Sequence, residues 1–524
     1  MIINIRDDII QLAKKHWLRH LLIDRTTGGS ILWGTDAYMA RGEAYERNRE
    51  IKEALILVDK ATVIETRSRK TFEEQNERTK KRAEVFTPRW ICTKMNNFLD
   101  EEWIAEADFF KSHNWNDFER QITKVKRWKA YVNNRRLEIT CGEAPYLVSR
   151  YDAHTGEVVA VEDRDGLLDR KLRIISRRVR SRRSWIAWAK KACQSIYGYE
   201  FQGDNLLIAR INVLKSIEEH FEDKWKEKIP EEELEAFIPI ITWNLWQMDG
   251  LKDTIPYRED SVGEMDLFLF NGTGFSAEKK ESPQCLIMDW EQGKAVPFAT
   301  LKGRDNRMKF DYIIGNPPYQ ESDGGGTGDS AKPVYNKFLE QSEKIVNKGV
   351  SMIMPSRWMK GGKGLNDFRK KMIENTHIRK LVDYENYKDC FPGAHIDGGI
   401  CYLMIDLKYN GKCNFIHICE DGYIDTSLRY LKNRVTDNVI RDSRQLPIIE
   451  EVNRLSDKMF DSLVSVRKPY GIATDLFNNP KKYPESGLSP DYFNGALKIY
   501  GVKGNKGGQS EKLVMFCPVF PVKD

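Results

Sequence analysis

Long apolar runs are missing from this chain. Nowhere in its 524 residues do about 18 uninterrupted apolar positions occur, so no bilayer-spanning helix is read from it. The opening MIINIRDDIIQLAKK carries charges where a secretory signal needs an apolar centre, which predicts a cytoplasmic protein. CxxC pairs are also missing; nine scattered cysteines fit reduced thiols better than a disulfide framework. There is no internal repeat and no low-complexity tract. No PD…ExK arrangement falls in a strand-like context, which argues against a nuclease of that kind. The glycine-rich QESDGGGTGDSAKPVY (320–335) lacks the Gly-Lys-Ser/Thr ending of a P-loop and reads as a flexible lid.

What is present is a globular composition, 40% hydrophobic and 11% aromatic, long enough for two or three domains. The formal charge of +6 is modest, but its distribution is uneven. In RKLRIISRRVRSRRSWIAWAKK (170–191), ten of twenty-two residues are Lys or Arg with two tryptophans interleaved. Such a stripe suits phosphate neutralisation on nucleic acid, and it makes Arg177, Arg178, Arg180, Arg182 and Arg183 candidate DNA contacts. A solvated helix face is the bland reading of the same residues. In MKGGKGLNDF (359–368), Lys360 and Lys363 could approach phosphates, or the segment is a plain exposed loop. The run CNFIHIC sets Cys413, His417 and Cys419 close together, yet with no fourth ligand nearby it reads as an ordinary core strand, so no metal site is expected.

Short apolar runs alternate with helical patterns. Strands are expected at 136–140, 195–200, 238–243 (IPIITW), 310–314, 350–355, 379–384 and 398–405, with helices at 204–221 and 335–348. The alternation predicts a mostly parallel, doubly wound α/β sheet with helices on both faces. GGICYLMIDLKYNGKCNFIHI reads as a hairpin turning at Asn410-Gly411. Texture changes near residues 83 and 410 suggest a helical N-terminal segment (1–82), a central α/β domain (83–409) and a loop-rich C-terminal region (410–524).

In an open α/β sheet, ligands bind beyond the carboxyl ends of the strands, so those ends are the candidates. The first carries Thr140, Cys141 and Gly142, small enough for close backbone approach. Glu200, followed by Phe201, is an acid placed to accept from a ribose diol, and Asp249, followed by Gly250, could accept from a base amine. The fourth end is DYIIGNPPYQ (311–320). Its prolines remove two backbone donors and hold the turn rigid. The Asn316 side-chain oxygen and the Pro317 carbonyl can then accept both hydrogens of one planar amine, with Pro318 stiffening the turn and Tyr319 offering a stacking face. An exocyclic base amine is such a group once its base has left the helix.

These residues resemble the amino-methylating DNA methyltransferases, in the gamma arrangement specific for adenine. NPPY (316–319) matches their (D/N/S)PP(Y/F) motif, and AEVFTPRWICTKM, with Phe86, Thr87 and Pro88, is similar to their N-terminal cofactor motif. EITCGEA (138–144) is similar to DPACGSG, with Glu138 for the Asp, Ala144 for the second Gly and Glu143 as an added acid facing the pocket. YGYEFQGDNLLIARINVL and QMDGL resemble the ribose- and adenine-holding segments. The likeness runs from about Ala83 to Asp406.

The resemblance implies a Rossmann-like class I fold and S-adenosylmethionine as cofactor. It also implies transfer of a methyl group to the N6 amine of a flipped adenine in double-stranded DNA, within a restriction-modification system. A cognate endonuclease or specificity subunit would be a partner. Residues 410–524 would begin a target-recognition domain, short for that task. Two alternatives share the features: methylation of another planar amine, in RNA or on a protein glutamine, and a DNA-binding or specificity protein that has lost its chemistry.

Overall fold

A computed structural model describes residues 2–58, 61–70, 85, 87–104, 109–124, 127–257, 282–303, 308–321, 332–362, 364–394, 396–433 and 436–455, with backbone alone at 497–500 and 511–514. Phe86, Lys363 and most of the glycine-rich segment after NPPY lie outside the described residues. Two compact units are present, Met1–Ser443 and Arg444–Asp524. In the second, a helix spans Gln445–Leu455, and two strands, Leu497–Tyr500 and Glu511–Val514, pair antiparallel.

The first unit is built on one nine-stranded sheet: β1 (Arg136–Ile139), β2 (Ile196–Glu200), β3 (Leu245–Gln247), β4 (Phe310–Gly315), β5 (Val346–Pro355), β6 (Ile378–Tyr384), β7 (Ile400–Asp406), β8 (Cys413–Ile418) and β9 (Ile424–Arg429). Across the sheet the order is 9-8-6-7-5-4-1-2-3. The pairs β5–β4, β4–β1, β1–β2, β2–β3 and β6–β8 are parallel. β7 lies antiparallel between β5 and β6, and β9 closes the edge antiparallel to β8. From β1 the chain therefore winds outward through β2 and β3, then returns to build β4 and β5 on the other side. The reversal makes a crevice at the carboxyl ends of β1 and β4, the topological switch point of a doubly wound sheet.

The helices that position the site are α1 (Ile5–Lys14), α2 (Arg89–Asp100), α3 (Leu167–Arg178), α4 (Arg182–Gln194), α5 (Gly203–Trp225), α6 (Ile238–Asn244), α7 (Tyr335–Ile345) and α8 (Asn366–Glu374). α5 leaves directly from β2 and is buried on most of its circumference, as a helix sandwiched on several sides must be. Its first residue tolerates only glycine: a Cβ on Gly203 would sit 1.9 Å from the Leu32 carbonyl oxygen. The N-terminal segment packs there. Trp33 accepts from the Gly203 amide, Leu32 exchanges hydrogen bonds with the Gln247 side chain at the end of β3, and Asp204 accepts from Tyr38 (2.8 Å) and Lys70 (3.2 Å). The core beneath holds Trp33, Trp185, Trp246 and Trp358, all fully buried.

A buried charge cluster ties α2 and α3 to β1. Asp100 accepts from Arg136 (2.7 Å), Arg170 (2.7 Å) and Tyr131 (2.9 Å). Burial opposes ionisation of Asp100, but the two guanidinium charges outweigh it and hold the carboxyl below its ordinary range.

Two expectations fail. IPIITW is helix α6, not a strand; the strand is the next segment, Leu245–Gln247. A short apolar run has no decisive period, and Pro239 sits in the first turn, where its missing N–H costs nothing. The hairpin through Asn410-Gly411 does not form either, because β6 is inserted between β7 and β8. The connection is drawn instead to the chain entering β6: the Gly411 amide donates to the Thr376 carbonyl, and His377 Nδ1 lies 2.5 Å from the Tyr409 carbonyl oxygen. Strands β8 and β9, beyond residue 409, continue the main sheet.

Candidate functional site

Beyond the carboxyl ends of β1, β2, β3 and β4 opens a cavity of about 600 Å³, within the range of sites that hold small organic ligands. Among its lining residues are Thr87, Thr140, Cys141, Gly142, Glu200, Phe201, Asp249, Gly250, Asn316 and Pro318, all expected from the sequence. The strand ends read separately along the chain thus surround one space. Pro88, Pro317 and Tyr319 do not line it.

The loop after β1 is bent by left-handed backbone at Thr140 (φ 45°), Gly142 (φ 53°) and Ala144 (φ 65°). Glu138 shapes it from below, accepting from the amides of Tyr146 (3.4 Å) and Leu147 (3.0 Å). Burial pushes this carboxyl well above its ordinary range. Glu200 completes the loop: one oxygen accepts from the Gly142 amide at 2.8 Å and the other from Gln202 at 3.0 Å. Asp249 is held by an Asx turn, accepting from the Leu251 and Lys252 amides. Phe201 also lines the cavity, and its ring meets Tyr257 edge-on at 5.4 Å. The Arg47 guanidinium lies 4.8 Å from the Tyr257 ring centre.

At the β4 end, the Asn316 NH2 group donates to the Val85 carbonyl (2.7 Å) and to Thr87 Oγ1 (3.2 Å). Its backbone oxygen accepts from Thr140 Oγ1 at 3.0 Å. Both amide donors are thereby used, while Asn316 Oδ1 is buried and has no partner among the described residues. An unpaired buried acceptor costs free energy unless something arrives to fill it. Tyr319 is only 8% exposed, and burial, with Cys390 and Cys401 nearby, pushes its hydroxyl well up against the opposing effect of the neighbouring Asn316 side chain.

Two expectations about acids and bases change. Glu143 does not face the cavity: it turns away to accept from the Arg67 amide (2.7 Å) and the Tyr151 hydroxyl (2.7 Å). The basic stripe is also divided. Arg170 and Lys171 are buried, the latter donating to the Asn134 carbonyl and Ser195, while Arg177 pairs with Glu119 at 2.7 Å. Arg178, Arg180, Arg182 and Arg183 are exposed. Arg182 pairs with Glu227, beyond the far end of α5, and Trp185 packs on Phe221 near that end. Since α5 starts beside Glu200 and 23 residues span about 34 Å, this end of the stripe is not brought to the cavity. Lys360, by contrast, follows β5 on the same edge as Asn316 and borders a smaller cavity of about 210 Å³ with Ser356, Arg357 and Arg441.

Sequence reading missed Asp36, Asn205, Met248 and Tyr257 in the cavity wall. Asn205 stands in the first turn of α5, a position that could have been inferred from Glu200. Asp36 arrives from a segment whose docking on β3 no local pattern announces.

The sheet order and the reversal at β1, with a cavity at that switch point, define a Rossmann-like, doubly wound α/β fold. Residues 194–391, which include β2 to β6 and NPPY, match the family model of the Eco57I restriction-modification methylase. An uncharacterized adenine-specific methylase of Mycoplasma pneumoniae is 37% identical over 137 residues, covering 25% of this chain and 32% of that protein. Among solved structures, the methyltransferase subunit of a type I restriction-modification system from Streptococcus thermophilus aligns with 74% of this chain and 55% of its own, at 12% identity and a TM-score of 0.28. The type IIL restriction-modification enzyme MmeI, solved in complex with DNA, aligns with 82% of this chain and 53% of its own, at 10% identity and a TM-score of 0.36. At these TM-scores the structural likeness adds nothing to what the sheet order shows. The chain spans about a third of the length of the curated relative that it matches.

Proposed function

We propose that this chain methylates the exocyclic N6 amine of adenine in double-stranded DNA, as the modification activity of a restriction-modification system. The observation that carries the reading is the buried, unpartnered Asn316 Oδ1, fixed in orientation by Val85 and Thr87 on a residue that lines a cofactor-sized cavity. An acceptor held this way is prepared for one hydrogen of a planar amine, and the Pro317 carbonyl is the natural acceptor for the other. Accepting both hydrogens raises electron density on the amine nitrogen and sets its direction of approach.

The cavity fits S-adenosylmethionine by volume and by donor set. Glu200 would hold the ribose hydroxyls, Asp249 the adenine amine, Phe201 the flat face of the base, and the Thr140–Gly142 loop the methionine end. That cofactor supplies an electrophilic methyl group on a sulfonium. Thr87 and Pro88, with Phe86, would belong to the same site. Tyr319 would stack on the flipped base after a rotation that exposes its ring. Lys360 and Lys363 would meet DNA phosphates, and residues 410–524 would contribute to target recognition together with a specificity subunit or endonuclease partner. Methylation-sensitive long-read sequencing of DNA from cells expressing this chain tests the reading: N6-methyladenine at one recurring sequence supports it, and unmodified adenine throughout overturns it.

A further inference from the structure

A second cluster of chemistry lies on the same edge of the sheet, at the ends of the neighbouring parallel strands β6 and β8. Asp383 and His417 are paired in register across these strands. Two residues further along each chain come Glu385 and Cys419, and side chains two apart on an extended chain share a face. The strands are still joined there, since the Glu385 amide donates to the Ile418 carbonyl at 3.0 Å. The ligating atoms of Glu385, His417 and Cys419 all lie within 4.8 Å of one another.

The histidine is oriented from behind. Its Nδ1 is 2.7 Å from Asp383 Oδ2, and Asp383 is fully buried, accepting also from Arg441 (2.6 and 2.9 Å) and from Ser356 (2.5 Å). A carboxylate held by two bonds from the Arg441 guanidinium only accepts, so Nδ1 carries the hydrogen and Nε2 faces the other way. There, in a side chain only 3% exposed, Nε2 finds Glu385 Oε2 at 3.9 Å, beyond hydrogen-bond distance. A carboxylate bonded to one imidazole nitrogen while the other points at a thiol and a second carboxylate is the arrangement that supports metal-ligating histidines.

We propose that Glu385, His417 and Cys419 form a zinc site that clasps the exits of β6 and β8. One nitrogen, one sulfur and one oxygen make a borderline donor set suited to Zn²⁺, with water as the fourth ligand. Tetrahedral zinc holds such atoms about 3.3 to 3.7 Å apart, so the cluster needs only a small contraction, which exposed Glu385 supplies by giving up its 3.3 Å bond from the Glu420 amide. Cys419 also begins the turn into β9, its carbonyl accepting from Gly422 and its amide donating to Tyr423. The ion would therefore fix the route by which the chain reaches β9 and Arg441. From the sequence no metal site was expected; in the cluster seen here Cys413 stands at the opposite end of β8 and takes no part, and Glu385 joins His417 and Cys419.

The test uses the full chain, stripped with chelator, reloaded with Zn²⁺ and desalted, and then assayed for bound metal. Co²⁺ substitution adds a spectroscopic readout of the thiolate. About one zinc per chain, a cobalt-thiolate absorption band and a raised Tm are expected. Both Cys419→Ser and Glu385→Gln alter solvent-accessible positions and should weaken zinc about tenfold or more, the loss seen even when a histidine's supporting hydrogen bond is removed. Cys517→Ser, outside the described residues, should leave binding intact. No retained zinc in the parent chain, retention undiminished in both ligand variants, or cobalt without the thiolate band overturns the proposal.

Discussion

Asn316 and Val85, 231 residues apart in the chain, are joined by a 2.7 Å hydrogen bond from the side-chain amide to the backbone carbonyl. That bond and its partner to Thr87 decide which way the amide faces. The donors point to the segment before α2, and the oxygen is left buried without a partner among the described residues. The residue that would polarise the substrate is thus oriented by the segment that resembles a cofactor motif.

Removing the acceptor should remove the chemistry. Asn316→Ala is expected to lower methyl transfer by about 10²- to 10³-fold, the scale for losing one electrostatic contact to a reacting group. Cofactor affinity, read by calorimetry, should change little.

Loosening the same residue should have a smaller effect. Thr87→Val deletes an acceptor of both Asn316 and the Tyr146 hydroxyl. Turnover should fall by roughly five- to tenfold, about 1 kcal/mol, with Asn316 itself intact. A fall matching that of Asn316→Ala would show that Thr87 does more than orient.

Glu200→Gln should weaken cofactor binding by about tenfold or more, because it replaces a charged acceptor of the Gly142 amide and of the proposed diol. An unchanged dissociation constant would remove Glu200 from the ribose site.

Asp100 should dominate acid sensitivity between α2, α3 and β1. Its folded pKa is depressed, so the stability it contributes is complete above its ordinary value of 3.8 and is lost as pH falls through the lower folded value. Asp100→Asn leaves Arg136 and Arg170 buried without a counter-charge and should cost about 3 to 5 kcal/mol in denaturant unfolding at pH 7.

The two basic regions should separate in a salt titration of DNA binding. Lys360→Ala is expected to reduce the slope of log K against log salt by about one, while Arg182→Ala leaves it unchanged. The reverse would move the DNA path to the far end of α5.

Much of this was legible in the sequence because strand ends are local. Glu200, Asp249 and Asn316 each follow an apolar run directly, and the parallel sheet brings those ends together without further information. The failures are tertiary. IPIITW carries no period long enough to exclude a helix, and Asn410-Gly411 looked like a hairpin turn because nothing in the run from β7 to β8 reveals that β6 lies between them. The division of the basic stripe was hidden for a similar reason: its composition is that of a phosphate-binding face, but burial of Arg170 and Lys171 depends on Asp100, Asn134 and Ser195, which lie 24 or more residues away in sequence. Glu143 could be assigned to the wrong side of its loop because the left-handed turn at Gly142 and Ala144 is not visible in the letters.

The most direct test of the central claim is to incubate the purified chain with S-adenosylmethionine and adenine-containing duplex DNA, digest the product to nucleosides, and quantify N6-methyladenine by mass spectrometry. The parent chain should produce it and Asn316→Ala should not, although both bind the cofactor. Equal amounts from the two proteins, or none from a parent chain with cofactor bound, would contradict the account.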